Sequence, residues 1–439
     1  MKKSNTALRL SSPGPGRRVR RLAIILSMAT SATETNTATE NAIDLEKQYV
    51  LQNYARYPLM IESGKGAVVR DEKGRRYLDF TSGIGVNALG HAHPRIVKLV
   101  REQVGKLVHC SNLYYHQYQG PLAKRLAEIS GLQRTFFCNS GTEAIEGALK
   151  IARAFGGKQN SRKHEIVSLE NSFHGRTLGA LSVTGQAKYR QDFEPLLPGV
   201  RFVPANDAAA LEQAVGENTA AIVLEPILGE GGIVALRREF AEHAARLARH
   251  FNALLIFDEI QCGLGRTGAY FAFQLWNQGH PAEEAISPDV LVTAKPLGCG
   301  FPIGAIVASE RAAAAIGSGM HGSTFGGGAL ICRVALEFLN ILDGLLPSIR
   351  ENGRYFRERL QWLAEKHRIV RDVRGEGLML GLELAVPGKT LVLEALERGF
   401  LINATHDTVL RFLPPYIIEQ KHINRLMVAL DRILSRQPL

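Results

Sequence analysis

Short continuous apolar runs alternate with segments of helical periodicity between about residues 120 and 325. Within the runs, apolar residues do not alternate with polar ones, which is typical of strands buried on both faces. Buried strands separated by helices predict a mainly parallel sheet covered by helices, the α/β class. The runs that carry this prediction are residues 135–138, 220–224, 253–257 and 290–293.

The two ends of the chain predict smaller elements. The N-terminal end suggests a helix and then a β-rich piece, and the C-terminal end suggests a long helix, two strands and a terminal helix. We expect both ends to pack together as a smaller α+β domain beside a large one. The predicted division is a leader at 1–40, the first part of the small domain at 41–90, the large domain at 91–329 and the second part of the small domain at 330–439.

The leader differs in composition from the rest of the chain. A basic cluster precedes a short apolar run and a stretch rich in Ser, Thr and Ala. Three interpretations remain open: a signal peptide with a short apolar run, a targeting or disordered tail, or sequence upstream of a true translation start at Met28. The leader is therefore left out of the fold prediction.

Charge and cysteine content exclude several classes of protein. The formal net charge is +11, but residues 1–27 contain seven basic and no acidic residues, and the remaining 46 basic residues face 42 acidic ones. We therefore expect no nucleic-acid partner. No apolar run approaches the roughly 20 residues that cross a bilayer, so we expect no membrane partner. The five scattered cysteines form no C-x-x-C pair, which argues against a disulfide framework or zinc ribbon and favours a reducing cytoplasm.

Polar residues follow two of the predicted strands directly, where ligands of α/β sheets bind. Asp258 follows the run 253–257, and Lys295 follows the run 290–293 after a gap that suits one helical crossover between neighbouring parallel strands. A carboxylate at this place suits a protonated ring nitrogen, although an ordinary hydrogen-bonded aspartate is the commoner explanation. Lysines are seldom buried, and burial lowers the pKa of an amine, so that its neutral form can attack a carbonyl.

Residues Ser140, Gly141 and Thr142 follow the first run and open a periodic helix. The positive end of a helix dipole and its free N–H groups form a natural anion site. Taken alone, an ordinary N-cap with a hydroxyl residue explains the pattern better. His91 and His93 have no further cluster of ligands near them in the sequence, so we interpret them as turn residues and expect no metal.

Taken in order, these features resemble the class III aminotransferases of the pyridoxal-phosphate fold type I group over about residues 45–437. The resemblance is closest to members that act on N2-acetylornithine. It implies a large domain with a mainly parallel seven-stranded sheet and pyridoxal 5′-phosphate as the cofactor. The matching segments are 87–94, 140–144, 173–177, 225–232, 258–261, Lys295 and 322–327.

The resemblance also implies which residues contact the cofactor ring. Lys295 would hold the cofactor as a Schiff base and later move a proton at the substrate carbon. Asp258 would pair with the pyridinium nitrogen and keep the ring an electron sink. Gln261 would contact the ring hydroxyl, and Phe173 would stack on the ring.

The phosphate of the cofactor is expected to bind where two subunits meet. By the same resemblance, Ser140, Gly141 and Thr142 would bind it in one subunit. Thr324 would reach the same phosphate from the partner subunit. The implied assembly is a homodimer with shared active sites.

The resemblance implies substrate contacts as well. Arg176 would clamp a carboxylate, because a planar guanidinium binds a carboxylate bidentately. Arg411 would receive the second carboxylate of glutamate or 2-oxoglutarate, and Glu230 would pair with Arg411 when the other substrate is bound. Asn87 and Ser323 complete the expected substrate site.

The expected activity is a ping-pong transfer of the terminal amino group of N2-acetylornithine to 2-oxoglutarate, a step of arginine biosynthesis. Departures from the family pattern at Cys262, Pro296 and 328–333 leave specificity for the distal group open. The alternatives are a succinyldiaminopimelate, ornithine or 4-aminobutyrate aminotransferase. The alternative outside the enzymes is a catalytically inactive, ligand-sensing relative.

Overall fold

The computed structural model of the chain describes residues 42–437. The predictions for residues 1–40 lie outside the described residues. The described chain divides into two compact units, one made of residues 42–63 and 70–75 and the other of residues 64–69 and 76–437. The domain boundaries expected from the sequence stay a prediction.

The elements of the chain alternate between helix and strand over the middle of the sequence. The helices are α1 (42–49), α2 (Ser82–Gly85), α3 (Pro94–Val104), α4 (Gln119–Ser130), α5 (Gly141–Gln159), α6 (Leu178–Ser182), α7 (Ala187–Arg190), α8 (Ala208–Ala214), α9 (Arg238–His250), α10 (Glu310–Ala313), α11 (Ala329–Lys366), α12 (Lys389–Glu397) and α13 (Gln420–Leu434). Short 3₁₀ helices lie at Gln191–Phe193, Ala272–Asn277, Ala282–Glu284 and Lys295–Gly298.

The strands fall into a large central sheet and several small ones. They are β1 (Ile61–Lys65), β2 (Val68–Asp71), β3 (Arg76–Asp79), β4 (Arg134–Cys138), β5 (Glu165–Leu169), β6 (Val200–Val203), β7 (Thr219–Leu224), β8 (Ile227–Leu228), β9 (Val234–Ala235), β10 (Leu254–Asp258), β11 (Val290–Thr293), β12 (Gly304–Ala308), β13 (Val370–Glu376), β14 (Met379–Leu384), β15 (Phe400–Leu401), β16 (Asn403–Thr405) and β17 (Val409–Phe412).

The smaller unit contains α1 and two ion pairs at the surface. Lys47 and Asp44 lie 3.2 Å apart, and Arg56 and Glu46 lie 3.0 Å apart. These side chains are largely exposed to solvent. Each pair therefore contributes only about 0–1 kcal/mol to stability.

The larger unit is built on a seven-stranded sheet with the order β4-β12-β11-β10-β7-β5-β6. The pairs β10–β11, β10–β7, β5–β7 and β5–β6 are parallel, whereas β12 runs antiparallel to both of its neighbours. The mainly parallel seven-stranded sheet predicted from the sequence is confirmed. The four apolar runs of the sequence analysis correspond to β4, β7, β10 and β11.

Both faces of this sheet are covered by apolar residues. Along β10, Leu254 and Ile256 belong to one hydrophobic cluster, whereas Leu255 and Phe257 belong to another. Successive side chains of a strand point to opposite faces, so a strand in this position needs apolar residues throughout. This burial explains why the runs do not alternate.

The C-terminal part of the larger unit forms a second sheet with the order β13-β14-β17-β16, antiparallel throughout. The long helix α11 packs against α3, α4 and α13. The short strand β15 pairs in parallel with β3, so that Phe400 lies opposite Leu78. The two ends of the sequence therefore meet within this unit, and the small α+β part expected from both chain ends is confirmed in fold class.

One detail differs from the expectation. The connection between β10 and β11 contains only 3₁₀ helices and turns, although the two strands are parallel neighbours as predicted. A loop takes the place of the expected crossover helix. In this loop, Gly265 and Gly268 adopt positive φ angles, which a right-handed helix does not have.

Within residues 42–437, no helix combines the length and the apolarity that a bilayer span requires.

Candidate active site

A cavity of about 470 Å³ lies where β4, β7, β10 and β11 end. Segments that follow these strands supply most of its walls, which is the position expected for a ligand in an α/β sheet. Val86 and the segment 300–303 complete the lining. Nine residues predicted from the sequence line this cavity: Ser140, Gly141, Thr142, Phe173, Arg176, Glu230, Asp258, Gln261 and Lys295.

Asp258 ends β10 and is 4% exposed. Its Oδ1 accepts a hydrogen bond from the Ile260 backbone N–H at 3.0 Å, and its Oδ2 lies 2.7 Å from Nδ1 of His174. His174 is also buried, and its Nε2 lies 3.4 Å from Oγ of Ser168. The Ser168 hydroxyl donates to the Val183 carbonyl at 2.7 Å and is therefore available as an acceptor from His174.

This arrangement favours an imidazolium at His174, because both ring nitrogens then donate. Burial alone would lower the pKa of His174, but the hydrogen bond and the negative charge of Asp258 hold it above its usual value. The carboxylate of Asp258 is thus fixed in orientation and kept partly neutralised. It remains at the cavity wall, where it can accept a proton or a hydrogen bond from a ligand.

Lys295 follows β11 after one intervening residue, Ala294, and begins a 3₁₀ helix. Its φ angle is +34°, in the left-handed region that costs a non-glycine residue about 1–3 kcal/mol. Burial lowers the pKa of the Lys295 amine, and the cation of Arg411 adds to this effect, although the carboxylate of Glu230 opposes it. A larger fraction of the amine is therefore neutral near pH 7 than for an exposed lysine, which suits a nucleophile or a base.

The N-terminus of α5 forms another wall. Ser140 is the N-cap residue, and its Oγ accepts a hydrogen bond from the Glu143 backbone N–H at 3.3 Å. The structure therefore contains the ordinary cap and places it at the cavity as well. Gly141 packs so closely on Ile260 that a Cβ atom would lie 2.7 Å from the Ile260 side chain. A larger residue at position 141 would push this wall into the cavity.

Arg176 and Phe173 lie on the segment after β5. The Arg176 guanidinium lies 3.8 Å from the centroid of the Tyr189 ring and 5.5 Å from that of Phe173. The Phe173 and Tyr189 rings pack edge to face at 6.0 Å. Stacking on aromatic rings orients a guanidinium while leaving its N–H groups available. The exposed Arg176 is thus positioned to bind an anionic group in the cavity.

Arg411 lies behind the cavity wall. It is 1% exposed and forms a short ion pair with Glu230. Its Nη1 also donates to the Gly229 carbonyl and to Oε1 of Gln261, each at 3.2 Å. Burial would raise the pKa of Glu230, but the charge of Arg411 and its hydrogen bond hold it below the usual value. Glu230 and Gln261 therefore separate Arg411 from the cavity.

Three further predicted residues do not belong to the cavity lining. A Cβ atom at Gly300, which lines the cavity, would lie 2.9 Å from Oδ1 of Asn87. Ser323 Oγ accepts a hydrogen bond from Nδ2 of Asn139, another lining residue, at 3.2 Å. Thr324 is exposed at the surface of the chain. None of these three lines the cavity in the described chain.

Two buried residues of the cavity, His174 and Glu225, lie in the matching segments 173–177 and 225–232 but were given no role from the sequence. Glu225 directly follows β7, and its two carboxylate oxygens accept hydrogen bonds from the backbone N–H groups of Phe173 at 2.8 Å and Gly229 at 3.1 Å. Burial raises the pKa of Glu225 to about 7. The signal used for Asp258, a carboxylate directly after an apolar run, applies to Glu225 too. The partner of His174 could not be deduced, since 84 residues separate it from Asp258.

Comparisons with known proteins identify the family of the chain. The family model of class III aminotransferases matches residues 49–434. Acetylornithine aminotransferase of Methanocaldococcus jannaschii is 48% identical over 399 residues, covering 90% of this chain and 98% of the relative. The enzyme of the same name from Aquifex aeolicus is 46% identical over 387 residues, covering 88% of this chain and 100% of the relative.

Solved structures of related enzymes have the same fold. Ornithine aminotransferase of Toxoplasma gondii superposes with a TM-score of 0.84 at 33% identity, covering 90% of this chain and 95% of that one. Acetylornithine aminotransferase of Elizabethkingia anophelis has a TM-score of 0.79 at 29% identity, covering 91% and 99%. A second Toxoplasma structure has partial occupancy of pyridoxal phosphate at its active site. The chain belongs to the class III aminotransferases, enzymes that depend on pyridoxal 5′-phosphate.

Proposed function

We propose that this protein transfers the terminal amino group of N2-acetylornithine to 2-oxoglutarate, giving N-acetylglutamate semialdehyde and glutamate. This reaction is a step of arginine biosynthesis. The relatives named above are acetylornithine aminotransferases that align over almost their full length. The structural observation that carries the proposal is the Arg411–Glu230 ion pair behind the cavity that Lys295 and Arg176 line.

The residues of the cavity fit pyridoxal 5′-phosphate. A buried carboxylate, Asp258, suits the protonated ring nitrogen, and the half-buried amine of Lys295 suits the carbonyl carbon of the cofactor. Gly141 and Thr142, at the N-terminus of α5, suit the phosphate, because the helix dipole and N–H groups attract anions. Phe173 supplies an apolar surface for the ring. When bound, the cofactor supplies an electron sink for negative charge that develops at the substrate carbon.

Lys295 has two tasks in the proposed reaction. Its neutral amine would hold the cofactor, a role that requires the low pKa of the amine that burial produces. Nζ of Lys295 would also accept the proton from the substrate carbon that carries the amino group and would later return one.

The two arginines account for two dissimilar substrates. Acetylornithine reacts at its terminal amine and carries one carboxylate at the far end, which Arg176 binds. Glutamate reacts at its α-amine, so its α-carboxylate lies next to the reacting carbon and its other carboxylate reaches Arg176. We assign the α-carboxylate to Arg411. Glu230 neutralises Arg411 when acetylornithine occupies the site and moves away when glutamate or 2-oxoglutarate enters.

We also propose that the protein is a homodimer with shared sites. Leu113, Tyr114, Tyr115 and Phe325 are large exposed side chains, which we call the Tyr115–Phe325 surface. The loops that carry them are joined, because Nδ2 of Asn112 donates to the carbonyls of Ser323 at 3.2 Å and Gly326 at 2.9 Å. Contiguous exposed apolar surface is typical of protein interfaces. A second copy of the chain on this surface would bring the neighbouring Thr324 to the partner's phosphate site.

Mixing two defective variants tests the shared site. Lys295→Ala lacks the catalytic amine, and Thr324→Asp places a negative charge where the phosphate of the partner subunit is expected. In a heterodimer of the two, the site with an intact Lys295 receives an intact Thr324 from the other chain. We expect activity to return after the two inactive dimers are dissociated and mixed. If Thr324 acts within its own subunit, mixing restores nothing.

A half-reaction screen tests the substrate. The purified protein is saturated with cofactor, and acetylornithine, ornithine, succinyldiaminopimelate, 4-aminobutyrate and glutamate are added singly while the visible spectrum is recorded. We expect acetylornithine and glutamate to convert the cofactor to its aminated form fastest. Faster conversion by another amine reassigns the pathway, and absence of a bound cofactor spectrum refutes the enzyme assignment.

We further infer a cytoplasmic location from the five free cysteines, because disulfides are rare in a reducing compartment. Cell fractionation with an antibody against the protein tests this location.

A further inference from the structure

Arg266 is a wholly buried arginine outside the cavity. It is 0% exposed, and its Nε and Nη2 atoms have no hydrogen-bond partner among the described residues. Burial lowers the pKa of its guanidinium. Burial of a cation is strongly unfavourable unless its surroundings compensate for the lost water. A side chain retained at this cost needs a structural or functional reason.

The remaining contacts of Arg266 join three separate segments. Its Nη1 donates to the Leu378 carbonyl at 3.2 Å and, over a short distance, to the Pro414 carbonyl. Its guanidinium lies 4.6 Å from the centroid of the Tyr416 ring. The Tyr416 hydroxyl in turn donates to the Leu264 carbonyl at 2.8 Å. Arg266 and Tyr416 thus connect the loop after β10 with the segment after β17.

Each of these segments leads to a substrate-binding residue. Pro414 lies three residues after Arg411, and Leu378 immediately precedes β14, in which Gly381 pairs with Arg411. The backbone N–H of Tyr416 donates to the Ala88 carbonyl at 2.7 Å, and Ala88 directly follows Asn87 in the sequence. Arg266 therefore bonds one carbonyl beside each strand at the same end of the pair β14–β17, which carries Arg411.

The loop that carries Arg266 is held independently of it. The Glu259 carboxylate accepts hydrogen bonds from the backbone N–H groups of Ala272 and Phe273, each at 2.8 Å. The Gly265 N–H donates to the Ala269 carbonyl at 3.1 Å. Loss of the Arg266 side chain should therefore leave Asp258 in place and remove the side-chain bonds to the Leu378 and Pro414 carbonyls.

We propose that Arg266 is a positioning residue for Arg411. It holds β17 and the chain at 413–416 so that the Arg411 guanidinium remains aligned both when it pairs with Glu230 and when it receives a carboxylate. This inference rests on the proposed function, in which Arg411 binds the α-carboxylate of glutamate. Acetylornithine does not use Arg411, so the effect of Arg266 is specific to the dicarboxylate half of the reaction.

The test separates binding from rate in each half-reaction of the holoenzyme. Arg266→Met, Arg266→Lys and the control Arg350→Met are compared, because Arg350 donates to the Gly268 carbonyl of the same loop at 2.7 Å but does not reach β17. For Arg266→Met we expect the half-saturating concentration of glutamate to rise about tenfold or more, with less than a twofold change for acetylornithine. Calorimetric titration with glutarate, an unreactive dicarboxylate, should give a matching rise in Kd.

The lysine variant keeps the inference testable if the methionine variant does not fold. Arg266→Lys should retain part of the dicarboxylate affinity, and Arg350→Met should stay within twofold of the parent for both substrates. Equal losses with the two amino donors in Arg266→Met or Arg266→Lys, or the same selective loss in Arg350→Met, would overturn the inference.

Arg411→Ala, measured in parallel, distinguishes the two possible failures. If Arg411→Ala harms both half-reactions equally, the proposed two-substrate function is wrong. If Arg411→Ala is selective for glutamate while the Arg266 variants are not, only the positioning role of Arg266 is wrong.

Discussion

Nδ1 of His174 and Oδ2 of Asp258 lie 2.7 Å apart, and both side chains are buried at the wall of the active-site cavity. A charge-assisted hydrogen bond of this kind fixes the carboxylate in one orientation. The pair connects the segment after β5 to the end of β10. Asp258 can then present its remaining lone pairs to a ring nitrogen without first having to reorganise.

Replacing His174 by Asn should weaken cofactor binding. Removal of a hydrogen bond to a charged group costs about 1.5–3 kcal/mol, so we expect the Kd of pyridoxal phosphate to rise by about 10- to 100-fold. Equilibrium dialysis of the cofactor against apoprotein measures this. His164→Asn, a change well outside the cavity lining, is the control. An unchanged Kd in His174→Asn would mean that Asp258 needs no orienting partner.

The same pair makes stability depend on pH. The pKa of His174 is raised above 6.5 in the folded protein, because the hydrogen bond and charge of Asp258 outweigh burial. Its stabilising contribution is therefore complete below about pH 6.5 and is lost as the pH rises through the folded pKa. Urea unfolding of the apoprotein at pH 6 and pH 8.5 should show a smaller difference between parent and His174→Asn at the higher pH. A difference that grows with pH would contradict a protonated His174.

Sequence patterns located the centre of the site more successfully than its edges. The strands β4, β7, β10 and β11 were predicted because strands buried on both faces need unbroken apolar runs. The residues that follow them, such as Asp258 and Lys295, were predicted with them. Strands β5, β6 and β12 were not located. Polar residues interrupt the apolar pattern of β5 and β6, whereas β12 is a continuous apolar run at Gly304–Ala308 that was overlooked.

The residues at the periphery depend on contacts between distant parts of the chain. Arg411 lies on a strand of the C-terminal sheet. Its burial behind Glu230 and Gln261 depends on contacts between residues more than 100 positions apart, which a local sequence pattern does not predict. Glu225 had the same signal as Asp258, but its two backbone donors come from the segments after β5 and β7. In the proposed dimer, Thr324 contributes to the phosphate site of the partner subunit and not to the site of its own chain.

Lys295→Ala should abolish turnover but still allow the cofactor to bind without a covalent bond. Asp258 and the N-terminus of α5 remain, so the phosphate and ring contacts persist. Borohydride reduction followed by peptide mass spectrometry should attach the cofactor to Lys295 in the parent and to no lysine in the variant. Lys163→Ala, which removes another buried lysine, is the control. Substantial transamination by Lys295→Ala would refute its role.

Arg411→Ala should slow the half-reaction with glutamate far more than that with acetylornithine. Loss of a charged bidentate contact costs about 1.5–3 kcal/mol, which corresponds to about a 10- to 100-fold fall in kcat/KM for glutamate. Single-turnover spectroscopy with each amino donor measures the two half-reactions separately. Arg374→Ala, which removes another arginine from the same sheet, controls for general damage to it. Equal losses with both donors would contradict the assignment of the α-carboxylate to Arg411.

Glu230→Gln should shift the preference of the enzyme in the opposite direction. Glu230 neutralises Arg411 and holds its guanidinium behind the cavity wall, so entry of a dicarboxylate must first break this ion pair. An amide of the same shape keeps a hydrogen-bond acceptor but loses the charge, which leaves Arg411 a net cation. We expect the ratio of kcat/KM for glutamate to that for acetylornithine to rise about tenfold, since about 1.4 kcal/mol of pairing energy is removed from one half-reaction only. Gln261 still contacts Arg411 at 3.2 Å, so the guanidinium should not lose its position. A ratio that falls or stays constant would show that Glu230 does not regulate access to Arg411.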